Sequence, residues 1–270
     1  MHRKNCTQSD GQFERLLNGL KQRHQMNGKP SRNRASAKMA QTAIEALLAK
    51  SISNDPQLLK NHNLHVKRQA VRKQYNVAGN NIECPSHVYH ASLGSSSQFL
   101  LSHLLTQEFR RTDSVLELGV GSGAVLLGLA GKFNLAECHG TDISTASINA
   151  FSSNAKSNDI SVSQSISDLF DALPPKRYDV IVFNPPLLDI RGKTAEEDMM
   201  LCDEGGALLQ RFVQQLPQWL APDGKAYVVV SNLGNPYPLL KSKLNYSFIG
   251  AEVFIADYVL VRAVAKICAQ

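Results

Sequence analysis

The sequence has little that would tie it to a membrane or to disulfide chemistry. Its five cysteines are scattered and form no CxxC pair, which argues against a disulfide framework or a zinc site and favours a reducing compartment. No apolar run approaches the roughly 20 residues of a membrane span. No apolar segment follows the first basic residues, so a secretory signal is not expected. These absences predict a cytoplasmic protein without a membrane partner.

Acidic residues are scarce in the first part of the chain. Residues 1–80 hold 15 Lys and Arg against four acids, whereas residues 81–270 hold 14 against 19, so the overall charge of +6 belongs to the N-terminal part. Such an asymmetry suggests two modules. We predict a basic helical region over 1–80 and a second domain over 81–270, with a polar linker at 76–81. The basic region leaves a nucleic-acid or ribosome partner open.

Apolar residues at helical spacing predict short helices within the basic region, near residues 13–20, 39–48 and 58–75. From residue 113 onward, short apolar runs alternate with helical patterns. The predicted strands cover residues 114–118, 137–141, 160–165, 178–183, 225–230, 250–255 and 258–264. This alternation predicts an α/β fold, with a parallel sheet and helices on both faces. The last two strands are joined by a very short turn and must be antiparallel to each other.

A glycine-rich turn follows the first of these strands and opens a helix. It reads Glu117-Leu-Gly119-Val-Gly121-Ser-Gly123. Glycines let the backbone turn sharply and approach a ligand, and the helix N-terminus offers unpaired N–H groups. A tight turn that binds nothing is the alternative. A dinucleotide fingerprint would place a glycine at Ala124, and the small residue there leaves an NAD-dependent oxidoreductase open.

Acidic residues follow the second and third strands. Asp142 and Ile143 end the second strand, where a carboxylate can accept both hydroxyls of a ribose. Asp142 could instead cap the following helix. Asp168 and Leu169 follow the third strand, where a turn acid is the alternative to a ligand contact.

The segment Asn184-Pro185-Pro186-Leu187 ends the fourth strand. Proline fixes φ and removes a donor, so backbone carbonyls near the pair stay unpaired. The Asn184 side-chain oxygen and the Pro185 carbonyl could accept both hydrogens of one NH2 group and aim its lone pair at an electrophile. That is catalysis by positioning and electrostatics. Ligands bind at this edge of open α/β sheets, although a strand that simply ends in a proline turn is the alternative.

Taken together, these residues resemble class I S-adenosylmethionine (SAM) methyltransferases with an Asn-Pro-Pro motif. Within that class the chain is similar to the methyltransferase small domain group. This group includes protein glutamine-N5 methyltransferases, which act on release factors or ribosomal proteins, and rRNA guanine-N2 enzymes. The likeness covers roughly residues 86–267. It implies a Rossmann-like, mostly parallel sheet of seven strands and transfer of a methyl group from SAM to a nitrogen.

The resemblance also implies roles for individual residues. The acid of the first strand would lie near the methionyl ammonium group, the glycines under the cofactor, and the later acids at the ribose and the adenine. The implied cofactor-binding residues are Glu117, Gly119, Gly121, Gly123, Asp142, Ile143, Asp168, Leu169 and Asn184. The implied catalytic residues are Asn184, Pro185 and Pro186, and no metal is implied.

Two departures from the family pattern concern the methyl acceptor. Leu187 stands where the family usually has an aromatic residue that stacks on a planar amide or base, and residues 90–97 lack an acid often found there. The resemblance implies a protein glutamine amide in the translation machinery as the acceptor. The alternatives are an RNA base amine, a small molecule, or a SAM-binding module without catalysis. The sequence does not determine the oligomeric state.

Overall fold

The computed structural model describes residues 34–52, 66–67, 69–192, 200–255 and 259–269. The chain divides into two compact units, Met1–Ala46 and Leu47–Gln270. Helix α1 (Arg34–Leu48) begins in the first unit and agrees with the helical spacing near residues 39–48. The helix predicted at 13–20 lies outside the described residues.

A two-stranded hairpin precedes the large sheet. Strands β1 (Lys73–Val77) and β2 (Asn80–Cys84) pair antiparallel. The two residues between them, Ala78 and Gly79, have φ angles of 50° and 87°. A type I′ turn requires positive φ at both central positions, so this connection is a tight hairpin turn.

The hairpin changes two expectations about the N-terminal region. The helix predicted over 58–75 is wrong for its last three residues, which belong to β1. The predicted linker at 76–81 is wrong as well, because its residues form the hairpin turn and the strand ends around it. The predicted boundary between residues 80 and 81 falls inside β2.

A seven-stranded, mostly parallel sheet forms the centre of the second unit, and the predicted Rossmann-like fold is confirmed. Its strand order is β5-β4-β3-β6-β7-β9-β8. Strand β9 runs antiparallel to both of its neighbours, and the other pairs are parallel. The strands are β3 (Ser114–Leu118), β4 (Glu137–Asp142), β5 (Ser163–Ile166), β6 (Tyr178–Phe183), β7 (Leu220–Ser231), β8 (Asn245–Ile255) and β9 (Val259–Cys268).

Helices and one short 3-10 turn connect these strands. They are α2 (Ser96–Leu104), α3 (Ala124–Phe133), α4 (Thr145–Ser157), the 3-10 turn Glu204–Gly206, α5 (Ala207–Trp219) and α6 (Tyr237–Leu240). Helices α2 and α4 begin at serines whose side chains accept backbone N–H groups of their first turns. Over the described ranges, none of the helices has the length and apolarity that crossing a bilayer needs.

The core lies around the central strands. All five residues of β3 are buried, and β6 is almost continuously apolar. Strands covered on both faces carry such runs, because neither face meets water. Residues 124–130 of α3 are also buried. The carboxyl ends of β3, β4 and β6 meet at one edge of the sheet, and polar side chains of the sequence motifs follow each of them.

Candidate functional site

One cavity of about 770 Å³ opens at the carboxyl ends of the parallel strands. Ten of the eleven residues that the sequence predicts for the site line it: Glu117, Gly119, Gly121, Asp142, Ile143, Asp168, Leu169, Asn184, Pro185 and Pro186. The volume is that of an ordinary small-molecule site. The location is the one where open α/β sheets bind ligands.

The glycine turn between β3 and α3 forms the floor of the cavity. Gly119, Gly121 and Gly123 have φ angles of 61°, 55° and 84°, which favour glycine. A Cβ built on Gly121 would have no described atom within 4 Å, so the space beside this backbone is open. A Cβ on Gly123 would lie 2.4 Å from Phe151 Cδ2. Gly123 therefore allows close packing beneath the turn and is not among the lining residues, and its cofactor contact stays a prediction.

Glu117 is buried at the end of β3, with 2% of its surface exposed. One carboxylate oxygen, Oε2, accepts the Leu126 N–H over 2.9 Å. This N–H belongs to the first turn of α3 and has no partner within the helix. Burial, together with the nearby Asp142 carboxylate, raises the pKa of Glu117 well above its ordinary value.

Asp142 joins β4 to the glycine turn. Its Oδ2 accepts the Gly121 N–H and its Oδ1 accepts the Ser144 N–H, each over 2.9 Å. Burial raises the pKa of Asp142 despite these bonds. Ser144, not Asp142, caps helix α4, because its hydroxyl accepts the Ser147 N–H. The next residue, Ile143, is 48% exposed at the cavity wall.

Asp168 has a partner that the sequence did not indicate. Arg211 on α5 donates from Nη1 to Asp168 Oδ2 over 2.9 Å and from Nη2 to Asp171 Oδ2 over 3.1 Å. The guanidinium group thus holds two acids of one loop against the helix. Arg211 lines the cavity next to Asp168 and the buried Leu169. No local pattern signals the pairing, since Arg211 lies 43 residues away along the chain.

The Asn184 carboxamide is held on one side and unpaired on the other. Its Nδ2 donates to Ser97 Oγ on α2 over 3.1 Å. Its Oδ1 is buried and has no hydrogen-bond partner among the described residues. A buried acceptor without a donor costs about 1–3 kcal/mol, so such atoms call for a functional explanation. Pro185 and Pro186 continue the cavity wall from this side chain.

The wall beyond the prolines is built from two segments that pair as in a sheet. Leu188 N–H donates to Leu201 O over 2.9 Å, and Asp203 N–H donates to Leu188 O over 2.8 Å. The buried Asp203 then accepts the N–H groups of Leu208 and Leu209 at the start of α5. Its carboxylate replaces the capping side chain that glycine cannot supply there. This arrangement fixes the backbone that follows the Asn-Pro-Pro segment.

Among the lining residues that the sequence did not predict, three make polar side-chain contacts with distant segments: Ser97, Arg211 and Arg262. Ser97 stands in a run of serines that resembles an ordinary helix start. Arg262 lies on β9, and its guanidinium group donates to Gly94 O over 3.1 Å and pairs with Glu252. Each of these side chains forms a hydrogen bond with a residue that is distant along the chain, and a local sequence pattern does not indicate such a contact.

The fold and this site together define a Rossmann-like protein with a cavity suited to a nucleotide-like ligand. The chain belongs to the methyltransferase small domain family, whose model matches residues 83–255.

Individual relatives are more distant. The chain is 33% identical over 132 residues to a putative protein N5-glutamine methyltransferase of Methanocaldococcus jannaschii. This match covers 46% of this chain and 64% of the relative. It is 30% identical over 141 residues to the release factor glutamine methyltransferase of Streptococcus pneumoniae. This match covers 48% of this chain and 50% of the relative. The matches thus span about half to two thirds of these relatives.

A solved structure shares the fold more extensively. The 16S rRNA N2 methyltransferase of T. thermophilus, solved with AdoMet and guanosine, superposes with a TM-score of 0.57 and 25% identity. The match covers 74% of this chain and 50% of that chain.

Proposed function

We propose that this protein is a SAM-dependent methyltransferase that acts on a nitrogen, with a glutamine side-chain amide in a protein of the translation machinery as the leading acceptor. The observation that carries the proposal is the buried Asn184 Oδ1, which lacks a donor among the described residues. An NH2 group that enters the cavity would supply that donor.

The residues of the cavity fit SAM. The open space at Gly121 lets a ligand lie against the turn, and Asp142 stands beside it for the ribose hydroxyls. Glu117 offers a carboxylate to the ammonium group of the methionyl part, and Asp168 and Leu169 line the wall assigned to adenine. When bound, SAM supplies an electrophilic methyl group on a positively charged sulfur, which suits a cavity with three acids.

The acceptor contacts follow from the Asn-Pro-Pro segment. Asn184 Oδ1 and the Pro185 carbonyl would each accept one hydrogen of the target NH2. Two fixed acceptors orient the nitrogen lone pair and stabilise the positive charge that develops on the nitrogen. Ser97 keeps the carboxamide turned so that its oxygen remains the acceptor. No strong base is needed if the proton leaves the nitrogen with or after the methyl transfer.

The choice of a glutamine acceptor is supported by the two relatives, which are named for protein or release factor glutamine methylation. The structural neighbour from T. thermophilus, named for an rRNA N2 position, supports an RNA base amine as the second candidate. Leu187 lines the cavity where an aromatic residue would stack on either group. Its apolar side chain can pack on a planar amide but offers no ring.

The protein is also proposed to work in a reducing compartment such as the cytoplasm. The four described cysteines, Cys84, Cys138, Cys202 and Cys268, are free thiols. Three of them are buried, where a thiol behaves as a small apolar side chain.

The Asn184→Ala variant tests the proposed chemistry. Methyl transfer should fall by at least about 1000-fold, since loss of a preorganised charge-stabilising group commonly costs 100- to 1000-fold and here the orientation is lost too. SAM affinity, measured by calorimetry, should stay within a few fold. Ser97→Ala serves as the matched variant, because it removes the partner of Nδ2 but keeps the acceptor oxygen, and it should retain partial activity. An active Asn184→Ala enzyme would refute the assigned role.

Two further measurements separate the alternatives. SAM, but not NAD, should raise the melting temperature; the opposite result would favour an oxidoreductase. A lysate from a strain that lacks the gene, incubated with the enzyme and radiolabelled SAM, identifies the acceptor class. Label that protease removes and ribonuclease leaves supports a protein acceptor. Label with the reverse behaviour supports the RNA alternative, and label only in small molecules excludes both.

A further inference from the structure

The mouth of the cavity is framed by one short segment, which we call the rim segment (Ser92–Ser97). All six of its residues line the cavity. It begins with a turn in which the Ser95 N–H donates to Ser92 O over 3.0 Å and Gly94 has a φ of 79°. A type II turn requires such a φ at its third residue. The segment ends at Ser97 in the first turn of α2.

Arg262 on β9, which also lines the cavity, contacts the rim segment. Its Nη1 donates to Gly94 O over 3.1 Å, and its guanidinium carbon lies 4.6 Å from the centre of the Phe99 ring. Glu252, its cross-strand neighbour on β8, pairs with it through Nε and Nη2. The Arg262 side chain is only 11% exposed. Arg262 therefore contacts Gly94, which precedes Ser97 in the chain, and Phe99, which follows it.

Ser97 transmits this constraint to the Asn-Pro-Pro segment. Its hydroxyl accepts the Asn184 Nδ2–H, which sets the carboxamide orientation. A contact chain thus runs from Glu252 through Arg262 to the rim segment and on to Asn184. The Arg262 guanidinium group is held by a carboxylate, a carbonyl and an aromatic ring, and these three contacts restrict its freedom.

We propose that Arg262 is a positioning residue that holds the rim segment, and through Ser97 the Asn184 carboxamide, in the orientation that accepts the target NH2. The catalytic part of this inference rests on the proposed function. The geometric part does not, because the contact chain exists in the protein without any ligand.

The test compares full-length variants by NMR and by hydrogen exchange. Arg262→Met alone would leave Glu252 partly buried without its partner, a change that can destabilise the fold. The main variant is therefore the double substitution Arg262→Met with Glu252→Gln, which removes both charges. Arg177→Met is the matched control: Arg177 Nη1 also donates to a backbone carbonyl, Leu220 O at 2.8 Å, but this residue does not line the cavity.

In the double variant, the Asn184 side-chain NH2 signal should move in the direction seen in Ser97→Ala, and amide exchange over residues 93–97 should rise by about tenfold. Arg177→Met should change neither. Arg262→Lys, which keeps one charge but cannot reach both Glu252 and Gly94, should fall between. Wild-type NH2 signals and rim exchange in the folded double variant would overturn the proposal.

Kinetics then show whether the positioning matters for transfer. In the double variant, kcat should fall by about 10- to 100-fold with a smaller change in acceptor KM, as expected when a reacting group is misplaced by a fraction of an ångström to about 1 Å. A large rise in KM with unchanged kcat would show that Arg262 binds the acceptor directly and would contradict the positioning role. If no acceptor is methylated even by the wild type, the proposed function fails while the NMR and exchange results still decide the geometric claim.

Discussion

At the scale of single residues, Glu117 is held where its own charge is unfavourable. The side chain is buried beside Asp142, and one hydrogen bond from α3 does not offset the loss of water around it. A cation bound beside Glu117 would favour the ionised carboxylate and offset part of this cost. The ammonium group of SAM is a ligand of that kind.

Glu117→Gln should separate stability from binding. The unfolded chain releases this proton near the ordinary value of 4.5, whereas the folded protein holds it to higher pH because the pKa is raised. The free energy of unfolding of the wild type should therefore fall as pH rises through the window between these two values.

Glutamine cannot ionise but can still accept the Leu126 N–H. In the Glu117→Gln variant, the free energy of unfolding should therefore fall less as pH rises, and it should be higher than that of the wild type at neutral pH. SAM affinity should drop by about 10- to 100-fold, the range for losing one hydrogen bond to a charged group. Urea denaturation across pH and calorimetry with SAM measure the two effects. A variant less stable than the wild type at neutral pH, or one with unchanged SAM affinity, would contradict this account.

At the scale of elements, the turn between β3 and α3 contains glycines with different tasks. Gly121 leaves open space at the cavity, whereas Gly123 leaves room for the ring of Phe151. The sequence alone assigned both to the cofactor, because a motif shows where glycines stand and not what they face.

The two substitutions Gly121→Ala and Gly123→Ala are a matched pair on this turn. Both force an alanine into a left-handed conformation, which costs about 1–2 kcal/mol. Gly123→Ala adds a clash with Phe151, and its total cost should reach about 2–5 kcal/mol. Gly121→Ala should keep more stability but lose SAM affinity by about tenfold or more, since its methyl group would occupy ligand space. Thermal unfolding and SAM titration check both, and equal stability losses would show that the Phe151 contact is unimportant.

The strands and the site motifs could be predicted because they depend on local sequence. Buried parallel strands are recognised as apolar runs. The glycine turn, Asp142 and Asn184 stand at the ends of three such strands, so they are visible in the sequence as motifs. The hairpin could not be predicted, since its first strand has a polar, mostly exposed sequence, Lys73–Val77. Distant amides help to hold the hairpin: Asn154 Nδ2 donates to Glu83 O over 2.8 Å, and Asn158 Nδ2 donates to Asn81 O over 3.0 Å.

The same limit applies within the site. Asn184 and Ser97 are separated by 87 residues, and Arg262 and Gly94 by 168. Propensity and periodicity report on neighbours within a few residues, so contacts of this range appear only once the sheet is assembled.

At the scale of the whole molecule, the charge divides along the two compact units. Residues 1–46 hold nine Lys and Arg against three acids, so the whole net charge of +6 resides there. Residues 47–270 hold the remaining 20 basic and 20 acidic residues and are neutral overall. The basic part is therefore proposed to recruit the acceptor electrostatically, while the neutral part binds SAM.

A full-length variant in which the Lys and Arg residues among 1–33 are changed to Gln tests this division. SAM affinity should be unchanged. The acceptor KM at low salt should rise by about tenfold, and its dependence on salt should flatten, because screened long-range attraction is lost. Titration of activity against ionic strength is the measurement. A changed SAM affinity in this variant, or an unaltered salt dependence, would refute the division of labour.

Strand β9 follows β8 in the chain but lies between β8 and β7 in the sheet. During synthesis, β7 and β8 therefore leave the ribosome without the neighbour that joins them, and both expose unpaired backbone until β9 arrives. The β8–β9 pairing is a local hairpin, whereas the β7–β9 pairing joins residues 31 to 43 apart and must close a longer loop. Because β9 also carries Arg262, the mouth of the cavity is completed only in this late insertion. Refolding experiments with pulsed hydrogen exchange should find that ligand-binding competence appears no earlier than the protection of β9.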